Sequence, residues 1–251
     1  MLATPDDPLA LLVLALVGVV AGVINTLAGG GSLLTLPALV FLGLPAGVAN
    51  GTNRISVLVQ SLSATATFAR EGERPFRQAG RLALPTLAGA LAGAYLATRW
   101  PGDAFRPVLG GVLVVMGLLT ALRPRLLEGR EQVATTGPLH LLGLFLVGAY
   151  GGFAQAGVGF LLLFLLVGGL GHALARANAL KVVLVALFTG LSLLVFGLSA
   201  QVAWLPGVAL AVGAGLGGIA GARLAMKVQA RWLRYPVALF ALASGISLLL
   251  R

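Results

Sequence analysis

Ten apolar segments, at roughly 8–27, 32–44, 52–69, 79–99, 105–122, 138–156, 159–171, 179–197, 205–226 and 233–250, take up most of this chain. A soluble core has no room for so many, because each helix or strand in it must also show water a polar face. Composition agrees: 59% of the residues are hydrophobic and 10% charged, against about 25% charged in soluble domains. The chain reads as an integral membrane protein. Its segments lack the two-residue alternation of outer-membrane strands, so the spanning element is the helix. The 36 glycines suit membrane helices that pack backbone to backbone. A full span needs ~20 residues, and the second and seventh segments fall short of it.

The only long polar linker, RPRLLEGREQVATTG at 123–137, divides the chain nearly in half. An offset of 128 residues brings the halves into register. It lays Gly29 and Gly31 on Gly157 and Gly159, Asn50 on Asn178, Phe68 on Phe196, and GAYLA at 93–97 on GARLA at 221–225. The expected organisation is a first membrane repeat at 8–122, a cytoplasmic linker at 123–137, and a second repeat at 138–250.

Charge orients the repeats. Loop 70–81 carries four arginines and two glutamates, whereas its counterpart 198–209 carries no charge. Conversely, 223–234 has four basic residues and no acid, against two basic and one acidic in 95–106. Basic loops face the cytoplasm, so the halves are expected to be inverted repeats in an all-α fold. This places 70–81, 123–131 and 223–234 inside a multi-pass protein of the plasma (cell inner) membrane, with both termini extracytoplasmic. The start MLATPDDPLALLVLALVGVVAG is acidic rather than basic, which fits an outside start and argues against a cleaved signal peptide. Inversion requires an odd number of crossings per half. Five spans satisfy it, and so do three spans with a Gly-broken re-entrant hairpin.

Most of the formal net charge of +10 is then explained as loop anchoring. No basic, aromatic-studded module remains to bind nucleic acid; the expected contacts are membrane lipid and a small solute. There is no cysteine, hence no disulfide and no thiolate metal site. Neither HExxH nor GxSxG occurs, and His140 and His172 have no acid near them in an apolar segment, so nothing supports an enzyme. No metal or cofactor is expected.

The informative polar residues lie where the apolar pattern breaks. GGGS at 29–32 permits unwound backbone, and a helix from Leu33 onward, capped by Ser32, would turn amides and a positive dipole end toward an anion. QAGVG at 155–159 supplies the matching break, with Gln155 near in position to Asn25. Paired broken helices are where inverted-repeat transporters place substrate. The second cluster is Asn50, Thr52, Asn53 and Arg54, with Asn178 and Lys181 as counterparts. Arg54 and Lys181 are read as each opening a long apolar helix, either snorkelling to headgroups or buried as an electrostatic draw for an anion. A basic group at a bilayer centre costs about 2.5–3.5 kcal/mol on translocon scales, and the amides beside each one favour the buried reading. Arg176 and His172 are read as interfacial. The seven acids, Asp6, Asp7, Glu71, Glu73, Asp103, Glu128 and Glu131, all lie outside the apolar segments. That argues against cation transport and against a carboxylate proton relay.

GVINTLAGGGSLLTLPALVFLGLPAGVANGTNRISVL (22–58) resembles the first-repeat signature of the TauE/SafE family, and GAYGGFAQAGVGFLLLFLLVGGLGHALARANALKVVL (148–184) its second. The likeness runs from about residue 11 to 250. It implies export of sulfite or organosulfonates. Carried over by motif, the implied substrate-binding residues are Asn25, Gly29, Gly30, Gly31, Ser32, Asn50, Thr52, Asn53, Arg54, Gln155, Gly157, Gly159, Asn178 and Lys181. The second half carries Ala179 and Leu180 where the first has Gly51 and Thr52, so unequal contributions are expected. Alternating access is the leading mechanism. A passive anion channel and a non-transporting membrane subunit are the alternatives, and both monomer and homo-oligomer stay open.

Overall fold

The computed structural model describes residues 5–100, 102–122, 136–227 and 234–250, and every regular element within them is a helix. All but the last two residues of the expected linker 123–137, and about half of the basic stretch 223–234, lie outside the described residues. The first half contains α1 (Pro8–Ala28), α2 (Ser32–Phe41), α3 (Ala46–Arg70), α4 (Phe76–Arg99) and α5 (Gly102–Leu122). The second contains α6 (Pro138–Phe153), α7 (Val158–Leu163), α8 (Leu174–Leu198), α9 (Trp204–Ala225) and α10 (Arg234–Leu250). A π-helical turn, Phe164–Gly169, extends α7.

Local chemistry sets the ends of α1. Asp7 accepts from the Leu9 N–H at 2.8 Å, and Pro8 occupies the first turn, where its missing N–H costs nothing. The helix stops at Gly29, whose φ of 88° is left-handed. α1, α8 and α9 are each long and apolar enough to cross a membrane. α2 is not: its 10 residues rise about 15 Å, half of the ~30 Å hydrocarbon thickness. α2 is therefore too short to make a full span on its own.

Two helix pairs meet along seams of small residues. A Cβ on Gly213 or Gly217 of α9 would overlap the Ala15 or Val19 carbonyl of α1. Likewise a Cβ on Gly89 or Gly93 of α4 would overlap the Phe145 or Ala149 carbonyl of α6. Lipid supplies no hydrophobic drive between helices, so such backbone approach is how they gain contact. The pairs are related by exchanging the halves: α1 with α9 becomes α6 with α4. The pairing of α3 with α9 becomes α8 with α4 in the same way, while α5 meets α10 and α3 meets α8. Leu12, Leu16, Leu84, Leu194 and Leu198 point outward, as a lipid-facing surface requires.

Polar contacts mark the two ends of the bundle. At one, Gln201 donates to the Thr98 carbonyl at 3.1 Å and the Ala203 N–H donates to the Thr52 hydroxyl at 2.9 Å. At the other, Arg176 pairs with Glu73 at 2.9 Å and Gln78 meets His172 at 2.8 Å. α3 and α8 run between these ends in opposite directions. Between the ends, the two breaks touch: a Cβ on either Gly29 or Gly159 would overlap the backbone of the other.

Candidate functional site

The two breaks differ in what they leave free. At the first, Gly31 rather than Ser32 is the cap, and α2 starts one residue earlier than expected. The Ser32 hydroxyl accepts from Asn53 Nδ2 at 3.2 Å instead of capping. The glycine run is supple enough to close on itself. The Leu33 and Leu34 amides bond the Gly30 and Gly31 carbonyls, both at 3.0 Å, and the Gly31 amide takes Asn25 Oδ1 at 3.3 Å. Those three amides are committed within the chain.

Behind this break lies a saturated polar network. Asn25 donates to Gln60 Oε1 at 2.6 Å, Gln60 donates to the Thr26 hydroxyl at 2.7 Å, and Thr26 donates to the Gly22 carbonyl at 2.8 Å. Asn53 Oδ1 accepts from the Thr35 hydroxyl at 2.5 Å. Lys181, 1% exposed, reaches in from α8 and donates to the Asn25 carbonyl at 2.9 Å and the Thr26 carbonyl at 2.8 Å. Its third bond goes to Asn178 Oδ1 at 2.8 Å. An ammonium has three donors, and all are used. The carbonyls it meets lie in the last turn of α1, where the helix dipole is negative.

The second break repeats this arrangement with a remainder. Arg54, 0% exposed, reaches from α3 to the Gly151 carbonyl at 3.2 Å and to the Gly152 carbonyl, near the end of α6. Its guanidinium lies 4.3 Å from the centre of the Phe196 ring, a cation–π geometry. Asn50 donates to the Phe153 carbonyl at 2.6 Å. Gln155, with a left-handed φ of 57°, donates to the Thr189 hydroxyl at 2.7 Å. That conformation is costly for a residue with a Cβ and marks a position held by its surroundings. Four buried atoms here have no protein partner: Arg54 Nε, Asn50 Oδ1, Gln155 Oε1 and Ser192 Oγ.

The structure thus brings Asn25, Gly31, Ser32, Asn53, Asn178 and Lys181 together around the first break, and Asn50, Arg54 and Gln155 around the second. Gly29 and Gly159 form the contact between the breaks, and Gly157 takes the left-handed turn before α7 with φ 69°. Gly30 is buried in the first break. Thr52 is not part of either cluster; its hydroxyl holds the start of α9. Arg54 and Lys181 neither snorkel nor open their helices, but lie buried in the third and second turns of α3 and α8. Sequence reasoning missed Thr26, Thr35, Gln60, Thr189 and Ser192. The signal was polar residues at helical spacing inside apolar runs, as in Asn53, Ser56 and Gln60 of α3 or Thr189 and Ser192 of α8.

No carboxylate whose side chain the structure describes pairs with either cation. Asp6 and Glu71 are exposed, and Asp7 and Glu73 are half-buried near helix ends. Carbonyl oxygens surround both basic groups, and Arg54 also meets the Phe196 ring.

Comparison with known proteins points to membrane transport. The family model described as Sulfite exporter TauE/SafE matches residues 14–248. "Probable membrane transporter protein ORF9" of Sinorhizobium sp is 32% identical over 236 residues, which is 92% of this chain and 88% of that protein. "Probable membrane transporter protein YfcA" of Escherichia coli strain K12 is 32% identical over 244 residues, 97% of this chain and 91% of its own. A "Probable membrane transporter protein" of Haemophilus influenzae is 31% identical over 217 residues, 86% and 85% of the two chains. No solved structure matches the chain.

Proposed function

The chain belongs to the sulfite exporter TauE/SafE family and is a membrane transporter rather than an enzyme, and we propose that it exports sulfite or a small organosulfonate by alternating access. The observation that carries the substrate class is the pair of buried cations, Arg54 and Lys181, without a carboxylate partner among the described side chains. Removing a charge from water costs several kcal/mol even after relaxation, and carbonyl dipoles offset only part of it. A bound anion offsets the rest. Cations would be repelled from the same place.

Inverted repeats account for the architecture. The exchange pairing of helices and the opposed directions of α3 and α8 support a pseudo-two-fold axis in the membrane plane. In this reading α1–α2 and α6–α7 are re-entrant hairpins, entering from opposite faces and meeting at Gly29 and Gly159. Both termini lie outside and the basic loops inside.

The placement of the cations supports alternating access. Arg54 belongs to the first half and holds the end of α6; Lys181 belongs to the second and holds the end of α1. Rocking one half against the other must therefore alter both sets of bonds, which couples opening to the charge balance at the site. The substrate sits beside Arg54, Asn50 and Gln155 at the second break, where side chains keep unused hydrogen-bonding capacity. Asn25, Ser32, Asn53, Asn178 and Lys181 shape the first break and supply field rather than direct contact.

Counterflow in proteoliposomes tests this. Unlabelled sulfite inside should drive transient accumulation of labelled sulfite, and Arg54→Lys should reduce it strongly while the protein stays folded. Flux without accumulation would indicate a channel. Absence of exchange with sulfite and with a panel of sulfonates would overturn the substrate reading.

A further inference from the structure

The unpartnered atoms at the second break are of two kinds. Arg54 Nε is a donor only. Asn50 Oδ1 is an acceptor, the Ser192 hydroxyl is either, and Gln155, whose partner Thr189 can donate or accept, turns either end of its amide to the gap. The orientation of Asn50 is fixed by its partner, because Nδ2 faces the Phe153 carbonyl at 2.6 Å and a carbonyl only accepts. Its oxygen is therefore a true acceptor, 0% exposed and without a protein donor. These atoms belong to neighbouring residues. Asn50 and Arg54 are one turn apart on α3, and both reach the carbonyls of 151–153. Gln155 follows directly and bonds Thr189. Ser192 lies one turn beyond Thr189, and Phe196, a turn further, packs under Arg54.

A ligand with acceptors only would satisfy Arg54 and leave the buried Asn50 oxygen without a donor. We infer that the substrate held here is a small anion that carries its own hydrogen-bond donor, so that anionic oxygens meet Arg54 Nε and an O–H or N–H meets Asn50. This rests on the sulfur-anion reading above. Hydrogen sulfite and hydroxy- or amino-sulfonates meet the condition; plain alkylsulfonates do not.

The test uses two sulfonates of similar size, 2-hydroxyethanesulfonate and ethanesulfonate, as competitors of labelled sulfite counterflow in proteoliposomes of the full chain. Leaving a buried acceptor unmet corresponds to about a five- to hundredfold loss of affinity. The hydroxylated competitor should accordingly half-inhibit at a concentration about tenfold or more below the other. Asn50→Ala should bring the ratio toward one. Asn50→Leu, which also lacks the acceptor at similar volume, serves if the first variant is poorly folded. Equal competition in the wild type would overturn the inference, the acceptor then being met by water, and would leave the sulfur-anion reading standing. No sulfite exchange and no competition by either compound would remove both.

Discussion

Arg54 and Lys181 hold exchanged places: each projects from one half and donates to the terminal carbonyls of a broken helix in the other. They differ in capacity. All three Lys181 donors are taken, whereas Arg54 keeps Nε without a protein partner. Lys181 acts as a fixed cap for α1, and Arg54 as both cap and ligand. A cation at a helix C-terminus contributes up to ~2 kcal/mol in a partly buried geometry.

The two cations should therefore fail differently. Lys181→Met, which keeps the volume and removes three bonds, is expected to lower stability by about 2–4 kcal/mol. Where it folds, half-saturation for sulfite should change less than in the Arg54 variant. Arg54→Lys keeps the charge but cannot serve two carbonyls and a ligand together. It should raise half-saturation by about tenfold or more with a smaller loss of stability. Thermal unfolding in detergent, read beside concentration-dependent counterflow, separates the two. A larger transport defect for Lys181→Met at equal stability would reverse the assigned roles.

Gly29 and Gly43 make a matched pair. Both have left-handed φ, 88° and 97°, but a Cβ on Gly29 overlaps Gly159 while one on Gly43 has nothing within 4 Å. Gly43→Ala should cost about 1–2 kcal/mol, the left-handed penalty alone. Gly29→Ala adds the separation of two backbones at the centre of the bundle, and should cost about 3 kcal/mol or more. Thermal unfolding of the two variants should rank them accordingly. Equal losses would show that the breaks do not press on each other.

How far the sequence could be read follows from the same residues. Runs of apolar residues located the helices, and the 128-residue offset matched their order in the two halves. They misplaced the starts of α3 and α8. The apolar run opens near 52, yet α3 begins at Ala46 and carries Asn50, Asn53 and Arg54 inside it. Hydropathy marks such residues as a boundary, because their hydrogen-bond partners lie on other elements and local sequence does not contain them. For the same reason Gln60 and Ser192 passed as incidental. The glycine triplet did signal the break. That the Leu33, Leu34 and Gly31 amides would be consumed by Gly30, Gly31 and Asn25 depends on the fold of the turn, which propensity does not specify.

Ser192 offers the cleanest probe of the second break. Its hydroxyl is fully buried and makes no bond within the protein, so Ser192→Ala removes a desolvated polar group without orphaning another. Stability should hold or rise by about 1 kcal/mol. Affinity for the transported anion should fall about three- to tenfold, the worth of one hydrogen bond. A merely structural serine would show the opposite pattern, with unfolding shifted down and half-saturation unmoved.

His172 gives the bundle end near Glu73 a pH dependence. Burial first, and then the Arg176 guanidinium, push its pKa below the ordinary histidine value. The facing groups are Gln78, which meets its Nε2 at 2.8 Å, and Arg176, itself paired with Glu73. A neutral imidazole fits this half-buried place, whereas an imidazolium would confront the like charge of Arg176. With the folded-state pKa below the unfolded one, the folded protein binds fewer protons. Stability is then greatest above the unfolded histidine value and falls as pH drops from there toward the folded one. Because α8 starts at this contact, loosening it at low pH should also ease separation of α8 from the α3–α4 turn. Unfolding temperature followed across mildly acidic pH should decline in the wild type, and His172→Gln, which has no titrating group, should flatten that part of the curve. An unchanged slope in the variant would assign the pH dependence to another group.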